Sequence, residues 1–348
     1  MYSSTELKEL LETILEGRGL SYKEACKVAI AMLRGVLDDV VIAAFLVALR
    51  ARGETSDIVA GFARALRGTC VRVESSSLDP IDTAGTGGDA SHTINASTAA
   101  AIVAASVGAK VLKHGNRGIS SYSGSADFME ALGYQIKHGP STARCLLERV
   151  GFAFLYAPNY HPAMKRVMPV RVKLGIRTVF NLVGPLSNPG LVKRQVLGVA
   201  SPNLLSTMAE AGIMLGYKSL LVVHGEPGID EVSVSGRTTV YEVKGSKYEK
   251  YYVEPEDLGL RRYSIEELKV SDPRESVERF MAVVSGRGRS CDRDFIAANA
   301  GAALYVAGKV RSIRDGVEAA LQAISEGRTS HYIKVLQEVS RLCFVQSS

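Results

Sequence analysis

The sequence predicts an α/β protein: a small all-helical N-terminal domain, then a larger α/β domain with a mostly parallel central sheet flanked by helices. Three observations lead there. The first seventy residues show helical periodicity only, and from about residue 80 short apolar runs alternate with helical stretches. The 348 residues, 46% hydrophobic and 22% charged with a mean hydropathy of +0.08, also supply enough apolar surface for two domains. The expected division is 1–70, with part of 168–190, against 71–348.

Leu7, Leu10, Leu11, Ile14 and Leu15 form one apolar stripe that ends at Gly17. A second helix begins at SYKE, where Ser21 and Glu24 can form a capping box, and stops near Gly35. A third, DDVVIAAFLVALRAR, opens on acids, ends on arginines and is closed by Gly53. A fourth runs from about Ser56 to Leu66. Four apolar helices in so short a segment need a partner surface, in the rest of the chain or in another subunit. The serine run before Pro80 reads as a link. Beyond it KVLKHG, YQIKHG, FAFLYAP, RQVLGVA and SLLVVHG read as strands, separated by helical stretches such as 98–107, 125–132 and 141–150. DFIAANAGAALYVAG and IRDGVEAALQAISEG return the chain to helix.

The five cysteines, Cys26, Cys70, Cys145, Cys291 and Cys343, are scattered, odd in number and free of CxxC spacing. Neither a disulfide framework nor a structural metal site is expected, and a cytoplasmic location fits best. The N-terminus lacks the basic-then-apolar pattern of an export signal, and no run reaches the length of a spanning helix, so no membrane association is expected. The net charge of +6 is spread along the chain, without basic blocks or interleaved aromatics. That distribution suits an anionic small molecule better than nucleic acid.

The stretch AGTGGDASHTINAST, residues 84–98, carries the chemistry. Gly85, Gly87 and Ala90 satisfy G-x-G-x-x-A, but a dinucleotide site needs an acid at the end of the next strand, where this chain has Lys113 and His114. Asn95, Ser97 and Thr98 can instead open a helix whose free N–H groups favour an anion, and Lys113 adds a point charge. A ligand-free strand-to-helix turn is the alternative. Farther on, Ser125 is either a second anion contact or an N-cap in competition with Ser123.

DTAGTGGD, NASTAAA, KHGNRGISSYSGSADFMEALGY, YHPAMKRVMPVRVKLGIRTVFNLVGPLSNP, HGEPGIDEVS and NAGAALYVAG, with AAFLVALRARGET in the helical segment, follow one another along nearly the whole chain. In that order they resemble the anthranilate phosphoribosyltransferase family. The resemblance implies a nucleoside phosphorylase/phosphoribosyltransferase-like fold and transfer of phosphoribosyl from phosphoribosyl pyrophosphate (PRPP) to the amino group of anthranilate, in tryptophan biosynthesis. It also implies Mg²⁺, a homodimer built through the N-terminal helices, and an active site between domains hinged near 70–82 and 168–190. By position, Gly85, Gly88, Asp89, Thr93, Asn95, Ser97, Thr98, Lys113 and Ser125 would surround PRPP. Ser97, Asp230 and Glu231 would hold Mg²⁺, and Lys113, Asp230 and Glu231 would be the catalytic set. Gly85, His114, Asn116 and Arg171 would receive anthranilate, with Arg171 on its carboxylate, while His161 and Pro162 would shape the pocket.

The chain departs from the family pattern at Ala90 and His92, where glycine is usual, and at Tyr122, often lysine. Ala90 cannot take a positive φ cheaply, and His92 adds bulk beside the phosphates. Two other readings remain open. One is a nucleoside phosphorylase of related fold, disfavoured by KHGNR and Arg171. The other is a non-catalytic nucleic-acid-binding relative, disfavoured by Lys113, Asp230 and Glu231.

Overall fold

The computed structural model describes residues 4–118 and 124–345, so Tyr122 lies outside the described residues. Four helices come first: α1 (Ser4–Leu15), α2 (Tyr22–Leu33), α3 (Asp39–Arg52) and α4 (Ser56–Thr69). The capping box at Ser21 and Glu24 closes as expected, and Asp38 and Thr55 cap α3 and α4 through their side chains. The fourth helix runs one turn past the expected Leu66, because Ala65, Leu66 and Arg67 are buried against the rest of the chain.

The remainder is built on β1 (Ile81–Gly85), α5 (Ala96–Ser106), β2 (Val111–Gly115), α6 (Ser125–Ala131), α7 (Pro140–Arg149), β3 (Phe152–Tyr156), β4 (Arg194–Gly198), β5 (Ser219–Gly225), β6 (Thr238–Lys244) and β7 (Lys247–Val253). The seven strands lie in the order β3-β2-β1-β4-β5-β6-β7. The first five pair in parallel and the last two run antiparallel. The crossovers β1 to β2 and β4 to β5 move in opposite directions along the sheet. Right-handed connection therefore puts α5 on one face and the helix Leu205–Met214 on the other. The helix Ser290–Val306 packs with α5, and α4 packs with Leu205–Met214. With both faces covered, the parallel strands read as continuous apolar runs.

Three expectations change. YQIKHG is not a strand: Tyr134 uses its hydroxyl, not its main chain, to accept the Phe154 N–H on β3 at 3.1 Å. His138 then bridges the Tyr134 and Tyr160 hydroxyls at 3.2 and 3.3 Å. The β6/β7 hairpin went unforeseen because its polar, tyrosine-rich alternation lies on the sheet's edge. Cys145 and Cys343 form a disulfide between α7 and the helix Arg328–Val345, against the expectation from cysteine spacing. Their separation of 198 residues leaves no local signal to read.

Where the helical segment meets the sheet, the buried Arg67 donates to Leu186 O at 2.7 Å and to the Tyr217 hydroxyl at 2.9 Å. Tyr217 in turn donates to Gln195 on β4 at 2.6 Å. One side chain of α4 is thus bonded to the 185–187 turn and through Tyr217 to the sheet. No helix among the described residues is long and apolar enough to cross a membrane.

Candidate active site

The chain leaves β1 for β2 and β3 on one side and returns to β4 on the other, so the carboxyl ends of β1 and β4 form the switch point where such sheets open a crevice. Gly85 and Gly198 face each other there in register. Asp230, on the loop after β5, is wedged over both. A Cβ on Gly85 would stand 2.1 Å from Asp230 Oδ2, and one on Gly198 would stand 1.6 Å from the Asp230 carbonyl oxygen. Asp230 also accepts the N–H of Gly87 at 2.7 Å.

Asp89, Asp230 and Glu231 converge, with one oxygen from each within 4.8 Å of the others. Burial raises the pKa of Asp230 and repulsion from Asp89 adds to it; Glu231 is pushed well above the usual range by burial and by both neighbours. Its Oε2 is buried without a hydrogen-bond partner. Three mutually repelling carboxylates, one oxygen unsatisfied, form a donor set that suits a hard cation. Asn299 holds this loop in place by donating to Val232 O at 3.0 Å and accepting Val232 N–H at 2.9 Å.

Lys113, on β2, is buried beside this cluster. Its ammonium donates to the carbonyl oxygen of Thr83, to the Thr83 hydroxyl at 3.3 Å and to Ser97 Oγ at 3.4 Å. Burial lowers its pKa to about 8, with Asp82, Glu231 and Asp230 opposing. Asp82, wholly buried, is raised to about 6 by desolvation against the pull of Lys113 and of its hydrogen-bond donors. Thr83, Ser97, Asp230, Glu231 and Asn299 line one small cavity of about 10 Å³, the size of a single water site.

Asn95 caps α5 by accepting the Thr98 N–H at 3.1 Å, and Ser97 lies in the helix's first turn. Thr98 Oγ1 is buried without a partner. Thr93 pairs instead with Lys269 in an isolated bridge, tying the loop to the segment before the helix Pro273–Val284. The N-cap of α6 is Gly124, so Ser125 is the first helical residue and not the cap; its hydroxyl donates to Asn116 O at 3.3 Å. The Asn116 side chain accepts the N–H of Arg117 at 2.8 Å.

His114 packs on His161 with ring centroids 5.0 Å apart. Burial lowers His114 well below its ordinary value. It also lowers His161 to about 4, although the Ser187 main chain favours the charged form. Both imidazoles are neutral at pH 7, and His114 Nε2 and both nitrogens of His161 are buried without well-formed hydrogen bonds. Arg171 lies on the helix Met168–Leu174, its guanidinium 5.7 Å from the Phe180 ring centroid and donating to Asn181 Oδ1 at 3.3 Å. No carboxylate among the described residues pairs with it. Its hydrogen bonds do not join it to His114 or Asn116.

Residues 78–330 match the model for the glycosyl transferase family, a/b domain, and residues 8–70 match that for its helical bundle domain. The anthranilate phosphoribosyltransferase of Caldivirga maquilingensis is 54% identical over 336 residues, 96% of this chain and 99% of the relative. The chain belongs to the anthranilate phosphoribosyltransferase family. Among solved structures of the family, that from Thermus thermophilus superposes with a TM-score of 0.89 at 40% identity, covering 95% of this chain and 99% of the other. The Saccharomyces cerevisiae enzyme, in complex with PRPP and Mg, gives 0.88 at 27% identity, covering 97% and 99%.

Family membership did not point to everything in the crevice. Asp89 stands with the acidic pair, a placement invisible in GTGGD because Asp89 lies about 140 residues from Asp230 and Glu231. Arg177 donates to the carbonyl oxygens of Gly87 and Gly88 at 3.0 and 3.1 Å, yet in sequence it is one of several cations in 165–177. Two of the three departures from the family pattern, Ala90 and His92, adopt the costly backbone, with φ of +55° and +54°.

Proposed function

We propose that this chain transfers the phosphoribosyl group of PRPP to the amino group of anthranilate, giving N-(5-phosphoribosyl)anthranilate and pyrophosphate in tryptophan biosynthesis. The observation that carries the reading is the meeting of the glycine loop, Lys113 and the carboxylates Asp89, Asp230 and Glu231 at the switch point. The same reaction is named for the relatives on both sides of the comparison.

Gly85, Gly88, Asp89, Thr93, Asn95, Ser97, Thr98, Lys113 and Ser125 are the residues we assign to PRPP. The first turn of α5 and the Lys113 ammonium oppose the charge of the departing pyrophosphate. At pH 7 Lys113 keeps its proton despite burial, because its pKa of about 8 lies above that pH. Asp230, Glu231 and Ser97 would hold Mg²⁺, with Asp89 the third carboxylate of the set, and the bound ion would offset negative charge on the leaving group. Their fit rests on the unsatisfied Glu231 oxygen and on the raised pKa values of the pair.

Gly85, His114, Asn116 and Arg171 are assigned to anthranilate. Arg171 is a half-buried cation without a carboxylate partner, and the aromatic acid's carboxylate would complete it. Neutral, buried His114 would lie against the acceptor, and His161, packed on it, would shape the pocket. Because the amine attacks as a neutral nucleophile, the chain's main task is alignment and stabilisation of the leaving group, and no strong base is required.

The same proposal takes residues 1–70 with part of 168–190 as one domain, hinged on 71–348, and a homodimer formed through the helical part, in the cytoplasm. Val40 and Val47 on α3, Val36 just before it, Val172 on the neighbouring helix Met168–Leu174 and Ile176 just after that helix are exposed and support the dimer.

Arg171→Ala tests the acceptor half. The KM for anthranilate should rise by about tenfold or more while that for PRPP stays within about twofold, as expected for loss of one charge-assisted pair. An unchanged KM for anthranilate would remove Arg171 from the site.

A further inference from the structure

The guanidinium of Arg177 passes over carboxylates in favour of two neutral acceptors. Asp230 and Glu54 both feel its charge, yet no acid among the described residues lies within salt-bridge distance of it. Its two terminal nitrogens go to the carbonyl oxygens of Gly87 and Gly88. Arg177 follows the left-handed Gly175 that ends the helix Met168–Leu174 and precedes Thr178, the N-cap of the next helical turn. It is therefore held at both sides by fixed main chain.

A trans peptide points its C=O and the following N–H in opposite directions. Holding the carbonyls of residues 87 and 88 on one guanidinium therefore turns the N–H groups of Gly88 and Asp89 the other way. Neither of these N–H groups has an acceptor among the described residues. Both glycines are left-handed, at φ +61° and +77°, and consecutive N–H groups in such turns form an anion-binding concavity. The contact is also close: a Cβ on Gly88 would stand 2.4 Å from Arg177 Nη1. A side chain at residue 88 would displace that guanidinium, and the left-handed φ of +77° there suits glycine.

We propose that Arg177 is a positioning residue for the donor substrate: by fixing the carbonyls of Gly87 and Gly88 it presents the N–H groups of residues 88 and 89 to the pyrophosphate of PRPP. The inference rests on the reading of this loop as the PRPP site. Arg177 itself touches no substrate; without it the two peptides can rotate and face the anion with carbonyl oxygens.

The test compares wild type, Arg177→Lys and Arg177→Ala, using calorimetric titration of PRPP with Mg²⁺, steady-state kinetics in both substrates and thermal unfolding. Arg177→Ala should raise the KM and Kd for PRPP by about tenfold, equivalent to about 1.4 kcal/mol. The KM for anthranilate should stay within about twofold, the split expected for a donor-specific positioning role. Arg177→Lys, which can reach one carbonyl but not both, should recover part of the loss. PRPP affinity unchanged in Arg177→Ala would overturn the inference while leaving the donor site in place. So would a parallel rise in both KM values together with a fall in melting temperature in both variants, which marks a structural role. If wild type itself fails to bind PRPP, the reading of the loop fails and the inference falls with it.

Discussion

The carboxylate of Asp230 occupies the space that a side chain on Gly85 would need, with Oδ2 2.1 Å from the position of its Cβ. The two residues are 145 positions apart, Gly85 at the end of β1 and Asp230 on the loop after β5, so the acid can lie over the crevice only if the end of β1 is bare. Gly85→Ala is accordingly expected to displace Asp230 and lower kcat/KM by about a hundredfold or more, because a shift of about 1 Å at a reacting group costs that much. Steady-state kinetics checks it, and near-normal turnover in this variant would contradict a crevice that depends on the bare glycine.

Glu231 illustrates a conflict between stability and function. Its carboxylate is buried beside Asp89 and Asp230, with one oxygen unpaired. Glu231→Gln removes an acid whose burial beside like charges opposes folding, and should raise the melting temperature of the metal-free protein by about 1–2 °C, corresponding to about 1 kcal/mol. The same change should lower turnover by at least about tenfold, through loss of a charged ligand for the ion. Calorimetry and an activity assay on one preparation decide it; a destabilised, active variant would count against a cation site.

At residues 90 and 92 the loop already adopts the left-handed backbone that glycine would take without strain. Ala90→Gly should therefore stabilise the protein by up to about 1 kcal/mol while leaving the KM for PRPP within about twofold. A lower melting temperature, or a marked change in KM, would show that the alanine methyl group has a role of its own.

His161 sets part of the response to acid. Its folded pKa, about 4, lies below its ordinary 6.5, because burial disfavours the imidazolium. Between those values the unfolded chain binds the proton more readily than the folded one. The contribution to stability is thus complete above pH 6.5 and is lost as pH falls toward about 4, amounting to about 3 kcal/mol for a shift of that size. His161→Gln should lose less stability than wild type across that window, while His114 and His138, both lowered by burial, keep part of the slope. Equal slopes in the two proteins would contradict the assignment.

Much of this architecture is legible in the amino-acid sequence. Ser21 and Glu24 mark the start of α2, and Gly53 the end of α3, because caps are local chemistry. The parallel strands stand out as apolar runs, because both faces of their sheet are covered. Tyr134 and His138 mislead for the opposite reason: an apolar alternation that reads as a strand serves a buried side-chain network instead. In the crevice, Lys113 stands out by its charge at the end of a strand, whereas the Asp230-Glu231 pair is singled out only by the family resemblance. Asp89's place among the carboxylates, Arg177's grip on two carbonyls and the Cys145–Cys343 bond depend on contacts between distant segments. No spacing along the chain encodes those contacts.

Phosphoribosyl transfer is tested most directly by the stoichiometry of the purified protein's reaction with anthranilate and PRPP. One pyrophosphate should be released for each anthranilate consumed, with formation of N-(5-phosphoribosyl)anthranilate and no turnover when Mg²⁺ is chelated. Absence of pyrophosphate release with both substrates and Mg²⁺ present, or phosphate-dependent cleavage of a nucleoside in its place, would contradict the assigned activity.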